Sequence, residues 1–276
     1  MKRDDTDHLL TLKDHQAVLL DMLIKFDGFC ANHHLQYWLD GGTLLGCIRH
    51  QGFIPWDDDV DVMMTRDEYN KFVTLWDNRN HPYYKFISME TDSEFFAPLA
   101  KMYDDRTLLI QGYGQKETKS YGIYIDVFVI DKLPDNYRMA EVFYKGAEKI
   151  RKKWGMAVRK YSAPSKSLAS KIGRIPYMFY CKMYGITHYL KQYSCYAQKY
   201  NVTESKHAGI VIFGEGIKKE YTELTQFENL SNVSFEETIF QGPRDCHRYL
   251  QQMYGNYMKI PKEEDRKVHP SNVFWK

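Results

Sequence analysis

An α+β fold, a mixed β-sheet flanked by helices and carrying a basic helical insert, is what three features of the 276-residue chain predict. Helix-like and strand-like apolar patterns alternate as far as about residue 135, a helical and basic block follows over 136–200, and a tail over 201–276 mixes short strands with one more helix. Neither an internal repeat nor a low-complexity tract divides the chain. A single domain over 1–276 is therefore expected, with a core at about 8–135, the insert at 136–200 and a tail that completes the site.

Taken in order, Leu9, Leu12, Leu19, Met22, Leu23, Phe26 and Cys30 fall at mostly three- and four-residue spacings and predict an amphipathic helix ending near Asn32. "LQYWLD" (35–40) reads as a strand broken by Gly41-Gly42, and "TLLGCIRH" (43–50) as a short helix capped by Thr43. A loop over 51–56 is punctuated by Gly52 and Pro55. "DVDVMM" (59–64) predicts a strand whose alternation turns Asp59 and Asp61 to one face and Val60 and Val62 to the other. Tyr69, Phe72, Val73 and Trp76 restore helical spacing. Strands are then expected at 83–89, 100–110 and 122–130, the last with Asp126 inside an apolar run. The basic block is helical with breaks near 162–164 and at Ile175-Pro176, and "PRDCHRYLQQMYG" (243–255) reads as a helix ended by Gly255.

Composition narrows the function. Hydrophobic residues make up 43% of the chain, enough for a folded core, which excludes a disordered chain. Five scattered cysteines without a Cys-x-x-Cys pair predict reduced thiols, a cytoplasmic protein and no structural zinc. The charged opening MKRDDTDHLL lacks the apolar stretch of a secretory signal, and no run approaches the ~18 apolar residues of a membrane span. Between Lys145 and Lys199 there are 13 Lys/Arg against one acid, Glu148, although the whole chain carries only +2. Such a segment favours anions: phosphates, an acidic polymer or the anionic face of a membrane. Residues 174–184 mix basic and aromatic side chains as interfacial segments do, so peripheral contact with the cytoplasmic membrane face is one expectation. No nucleic-acid recognition module is legible.

The feature that asks for chemistry is Asp57-Asp58-Asp59-Val60-Asp61. Acidic runs are commonly solvated loop faces, but Asp61 and Asp126 sit in apolar strands, where a solitary carboxylate is costly to bury. An EF-hand loop would place Asp57, Asp59, Asp61 and Glu68 correctly, yet it puts Val62 where the tight turn needs glycine. Asp59 and Asp61 on one strand face can instead share a divalent cation, and a carboxylate on a neighbouring strand would complete an oxygen site for Mg2+ or Mn2+. The Gly41-Gly42-Thr43 turn presents backbone N–H groups suited to a phosphate. Together these are the parts of phosphoryl or nucleotidyl transfer.

Gly-Gly-Thr-Leu-Leu-Gly (41–46), Ile-Arg-His (48–50) and Gly-Phe-Ile-Pro-Trp-Asp-Asp-Asp-Val-Asp-Val (52–62) resemble the signature of LicD-type transferases, which include the fukutin-like proteins and belong to the nucleotidyltransferase-fold superfamily. "YLQQMYGNYMKIPKEEDRKVH" (249–269) resembles the family's closing motif. The resemblance covers roughly residues 10–270 and implies a nucleotidyltransferase-like sheet core. It also implies transfer of phosphocholine from CDP-choline to a sugar of a teichoic acid or lipopolysaccharide precursor, with a lipid-linked glycan as the expected acceptor and release of CMP. Ribitol or glycerol phosphate transfer from the corresponding CDP-alcohol, nucleotidyl transfer to a small acceptor, and a non-catalytic choline- or polyanion-binding module are the rival readings.

In the implied mechanism Mg2+ (or Mn2+) bridges the donor pyrophosphate to Asp59 and Asp61, while Asp126 either holds metal or accepts the hydroxyl proton. Gly41, Gly42 and Thr43 are expected on phosphate, with Arg49, His50 and Lys101 as further phosphate contacts. Trp56 and Tyr121 are ring candidates for choline, whose quaternary ammonium needs aromatic faces. His269 is expected to approach the site from the tail.

Overall fold

The computed structural model describes residues 9–111, 121–164, 167–266 and 271–276. Helix α1 (Leu12–Asn32) opens with a capping box in which Thr11 and Asp14 satisfy each other's backbone N–H groups, and it buries Leu19, Met22, Leu23, Phe26 and Cys30 at helical spacing. The two-residue strand β1 (Trp38–Leu39) leads directly into α2 (Gly41–His50). Strand β2 (Asp61–Thr65) hands over to α3 (Arg66–Leu75), whose Thr65 cap accepts from the Glu68 N–H. Strands β3 (Tyr84–Ile87), β4 (Ala100–Asp104), β5 (Thr107–Gln111) and β6 (Tyr124–Leu133) follow.

The basic block is helical throughout its regular parts: α4 (Tyr137–Val158), α5 (Leu168–Gly173), α6 (Ile175–Tyr184) and α7 (Ile186–Ala197), with Pro176 in the first turn of α6, where its missing N–H is no loss. The tail contributes β7 (His207–Ile210), α8 (Ile217–Glu220), β8 (Thr222–Glu223), the β9 (Ser231–Phe235) and β10 (Thr238–Gly242) hairpin, α9 (Cys246–Tyr254) and β11 (Ser271–Trp275). Gly255 ends α9 at a φ of 67°, as its sequence position predicts.

The central sheet has the order β1-β2-β6-β4-β3, with β7 on β6 and β8 on β7. Only β2 and β6 run parallel within it; the other pairings are antiparallel. Strand β6 is long enough that β4 pairs with Tyr124–Val127 while β7 pairs with Ile130–Leu133 along the same edge. The main core lies where α1, α2, α3 and α9 pack on this sheet. A second, smaller core joins α4 and α7 to the segment after β7 through Phe143, Tyr144, Tyr193, Val211 and Ile212. This is the α+β arrangement expected from the sequence. No described helix is long and apolar enough to cross a membrane.

Three local expectations need correction. The run 100–110 is two strands in different sheets, because Arg106 turns the chain by donating to the buried Asp104 carboxylate; β5 then pairs with β11. The helix after β1 begins two residues early, so Asp40 occupies the cap position and Thr43 lies within the first turn. Asp59 precedes β2, which begins only at Asp61, so the two aspartates do not share a strand.

Candidate active site

The parallel register of β2 and β6 pairs Asp61 with Asp126, and the antiparallel register of β6 and β4 pairs Asp126 with Lys101. Register partners project to the same face, so carboxylate, carboxylate and ammonium form a row across three adjacent strands. Asp40, at the end of β1, extends the row: its N–H donates to the Asp61 carbonyl at 3.0 Å. The alternation that buries Ile125 and Val127 leaves Tyr124 and Asp126 half-buried on the open face.

The glycine pair explains how the acidic loop fits against α2. Gly41 has a φ of 52°, which lets the chain turn straight from β1 into the helix. A Cβ there would stand 2.9 Å from the Asp61 Oδ2, and one on Gly42 would stand 2.7 Å from the Asp57 Oδ2. The anionic groups facing the two glycines are thus the protein's own carboxylates. Thr43 acts on the same strand: its Oγ1 accepts the Asp61 N–H at 2.9 Å and fixes the start of β2. From α1, Gln16 holds the loop by donating to the Asp57 carbonyl at 2.9 Å.

Crowding of like charges dominates the electrostatics. Burial, reinforced by the charges of Asp59, Asp126, Asp40 and Asp57, holds the Asp61 carboxyl well above the usual carboxylate range. Asp57 is pushed up to about 8 by burial and by the charge and hydrogen bond of Asp59. Lys101 answers part of this charge. Its Nζ lies 2.5 Å from the Asp126 Oδ1 and 3.3 Å from the Tyr124 ring centroid. Burial pulls its pKa down, but the charges and hydrogen bonds of Asp126 and Tyr124 together outweigh that and leave it raised. One ammonium against Asp57, Asp59, Asp61 and Asp126 leaves a net negative site that suits a divalent cation. Among the described residues, however, no three His, Cys, Asp or Glu side chains converge as a formed metal cage.

The tail helix closes the site with residues that sequence reasoning overlooked. The Tyr249 hydroxyl donates to the Asp40 Oδ1 at 2.7 Å, and the Tyr254 hydroxyl lies 3.7 Å from where a Gly41 Cβ would be. The Tyr254 residue is 42% exposed, but desolvation of its hydroxyl together with the charges of Asp40 and Asp61 raises its pKa. The only signal for either tyrosine was the tail motif that contains them. Next to this corner a cavity of about 500 Å³ opens between α4 and residues 211–216, lined by Tyr144, Glu148, Arg151, Phe213 and Glu215 among others. The charge of Glu215 reaches both Asp40 and Tyr254, which ties the cavity to the carboxylate row.

The remaining expected site residues divide. Arg49 donates to the His50 ring at 2.9 Å and to the Tyr257 carbonyl at 2.8 Å, so at the far end of α2 it anchors the tail. His50 packs edge-on to Trp56 at 6.4 Å. The Arg266 guanidinium already lies 4.2 Å from the Trp56 ring centroid, so a cation covers that face. Tyr121 packs 5.0 Å from Tyr103, and Tyr103 is the register partner of Tyr124. These three rings flank Lys101 and Asp126 on the open face. His269 lies outside the described residues.

The sequence that builds this site is similar to that of known proteins. Residues 34–154, which hold α2 and the whole β1-β2-β6-β4 row, match the family described as LicD/FKTN/FKRP, nucleotidyltransferase domain. The chain is 32% identical over 268 residues to the lipopolysaccharide cholinephosphotransferase LicD of Haemophilus influenzae, covering 94% of this chain and 96% of that protein. An uncharacterised protein of Rickettsia prowazekii is 31% identical over 106 residues, 38% of this chain and 36% of its own. A short stretch of 28 residues is 61% identical to the ribitol 5-phosphate transferase FKRP of Homo sapiens, 10% of this chain and 6% of that one. Likeness of this extent, over nearly the full length of both proteins, leaves one conclusion: the chain belongs to the LicD family of transferases.

Proposed function

We propose that the protein transfers phosphocholine from CDP-choline to a sugar hydroxyl of a lipopolysaccharide or teichoic acid precursor and releases CMP. The observation that carries this reading is the near full-length likeness to the Haemophilus influenzae cholinephosphotransferase. The carboxylate row supports it chemically. The acceptor oxygen forms a bond to the phosphorus that carries choline, the bond from that phosphorus to the CMP oxygen breaks, and CMP leaves with the electron pair. The acceptor proton passes to Asp126. Of the two roles open to Asp126, proton acceptor suits it better, because Lys101 already supplies a cation to that carboxylate. Lys101 also lies where it can donate to a phosphate oxygen.

Asp59 and Asp61 are the residues that would hold Mg2+ or Mn2+, and the ion would neutralise the donor pyrophosphate. Excess negative charge around Asp61 is the observation that favours such an ion. For choline the rings of Tyr103, Tyr121 and Tyr124 are better placed than Trp56, whose face Arg266 covers. The cavity beside Glu215 offers the acceptor sugar two aromatic rings, a guanidinium and two carboxylates.

The short match to a ribitol 5-phosphate transferase favours a second reading, in which the CDP-linked alcohol is ribitol or glycerol. Calorimetric titration of the protein with CDP-choline, CDP-ribitol and CDP-glycerol in Mg2+ separates the two. Tightest binding of CDP-choline, weakened by Tyr124→Ala, supports the proposal; preference for a polyol donor replaces it with the second reading.

A further inference from the structure

The basic helical block carries an apolar face that neither the fold nor the proposed chemistry uses. Helix α6 buries Met178 and Cys181 against its neighbours. Its opposite side, continued from α5, exposes Ile172 (59%), Ile175 (41%), Phe179 (62%) and Met183 (70%). Their spacing of three, four and four residues aligns them in one stripe along a helix. Tyr177, Tyr180 and Tyr184 are exposed along its flank, where their rings approach one another at 6.4 and 5.1 Å. Isolated exposed apolar residues are ordinary, but a continuous stripe of large side chains marks an interaction surface.

Charge identifies what covers it. Residues 145–199 hold 13 Lys/Arg and one acid, Glu148, whose carboxylate is engaged by Arg151 at 2.6 and 2.9 Å. Two of these cations lie near the tyrosine flank: the charge of Lys153 acts on Tyr184, and Lys182, whose Nζ donates to the Ala157 carbonyl at 2.8 Å, stands 5.3 Å from the Tyr161 ring centroid. Arg174, between Ile172 and Ile175 in the chain, turns to the main chain before α5, where it donates to the carbonyls of Pro164 (3.2 Å) and Ala163. A protein partner recognising this surface would need to match both a long apolar stripe and a dense cationic rim. A bilayer bearing anionic headgroups does so without shape complementarity, since tyrosines and cations sit at headgroup depth while Ile, Phe and Met reach the acyl boundary.

We propose that α5 and α6 dock the enzyme flat on the surface of an anionic bilayer, with Ile172, Ile175, Phe179 and Met183 inserted and the surrounding Lys and Arg on lipid phosphates. This goes beyond the phosphocholine reading and does not depend on it. The test is sedimentation of the full chain with phosphatidylcholine vesicles, with and without phosphatidylglycerol, for wild type and the Phe179→Ser/Met183→Ser variant. Wild type is expected to co-sediment with the anionic vesicles, to release as salt is raised, and to lose roughly a hundredfold in partitioning when the two side chains become serine. Both positions are exposed, so the variant should melt with wild type, and vesicle binding is read on folded protein. Equal binding by the variant, or no binding by wild type, overturns the proposal. So does a wild-type dimer that the variant converts to monomer, seen by sedimentation velocity without vesicle binding, which assigns the face to a second copy of the chain.

Discussion

Asp61 and Asp126 are partners in the single parallel strand pairing of the central sheet, so two half-buried carboxylates leave neighbouring strands side by side, with the charges of Asp40, Asp57 and Asp59 close to Asp61. Such a pair is unfavourable for folding on its own and useful only to a site that brings a cation or moves a proton. Replacing Asp61 with Asn should therefore separate activity from stability. Transfer is expected to fall by on the order of 10³-fold, while the melting temperature holds or rises because four neighbouring carboxylates lose a repulsive partner. Thermal melts and CMP release on the same preparation check both halves; a loss of activity explained by unfolding contradicts the assignment.

Lys101 is the partner of Asp126 on the other edge of β6. Lys101→Met removes the ammonium from a side chain only 16% exposed and leaves the carboxylate row without its nearest cation. The expected result is a drop of about 10²-fold in turnover with a modest loss of stability, partly restored in Lys101→Arg. A variant with normal turnover would show that the lysine serves the sheet alone.

A buried pair away from the site tests the framework. Arg66, at the start of α3, donates to both oxygens of Asp131 on β6 at 2.9 and 2.8 Å, and Asn201 adds a third bond at 2.6 Å. Asp131→Ala leaves the guanidinium buried and unpaired and should cost about 3–5 kcal/mol of unfolding free energy. Arg66→Met combined with Asp131→Leu should lose less than the single variant, as chemical denaturation can establish.

Glu220 supplies a pH signature. Burial pushes its carboxyl from the ordinary 4.5 up to about 8, although the N–H groups of Ile210 and Glu215 donate to it at 3.2 and 2.7 Å. The folded state thus keeps a proton that the unfolded chain releases. The stabilisation this provides is complete below pH 4.5 and declines as pH rises through about 8. Glu220→Gln should flatten that part of the profile and lower stability by about 1–2 kcal/mol, since its amide nitrogen cannot accept one of the two N–H donors. Unfolding free energies measured across this range would contradict the account if wild type and variant ran parallel.

Features with local causes could be read directly from the sequence. Helix α1 shows its spacing, α9 its Gly255 stop, and β6 its apolar run around Asp126. Features set by distant partners could not. Tyr249 meets Asp40 across 209 positions, and Arg266 covers Trp56 from the far end of the chain, so neither the closing tyrosines nor the blocked ring face left a local trace. The turn between β4 and β5 lacks Gly and Pro; it depends on Arg106 reaching back to Asp104, and the run therefore looked like one strand. Among the acids, alternation placed Asp61 in the strand, where it lies. It also grouped Asp59 with that strand, because where a strand begins depends on its partner: β6 first pairs with β2 at Asp61.

Transfer of phosphocholine by the Asp61 and Asp126 row can be observed by incubating the purified protein with Mg2+, CDP-choline labelled in the choline and in the cytidine, and a choline-free lipopolysaccharide acceptor, then analysing the products by mass. The account predicts CMP in solution and phosphocholine on the sugar, both abolished in Asp61→Asn. Cytidine label on the acceptor, or an acceptor left unmodified while CDP-choline stays intact, would contradict it.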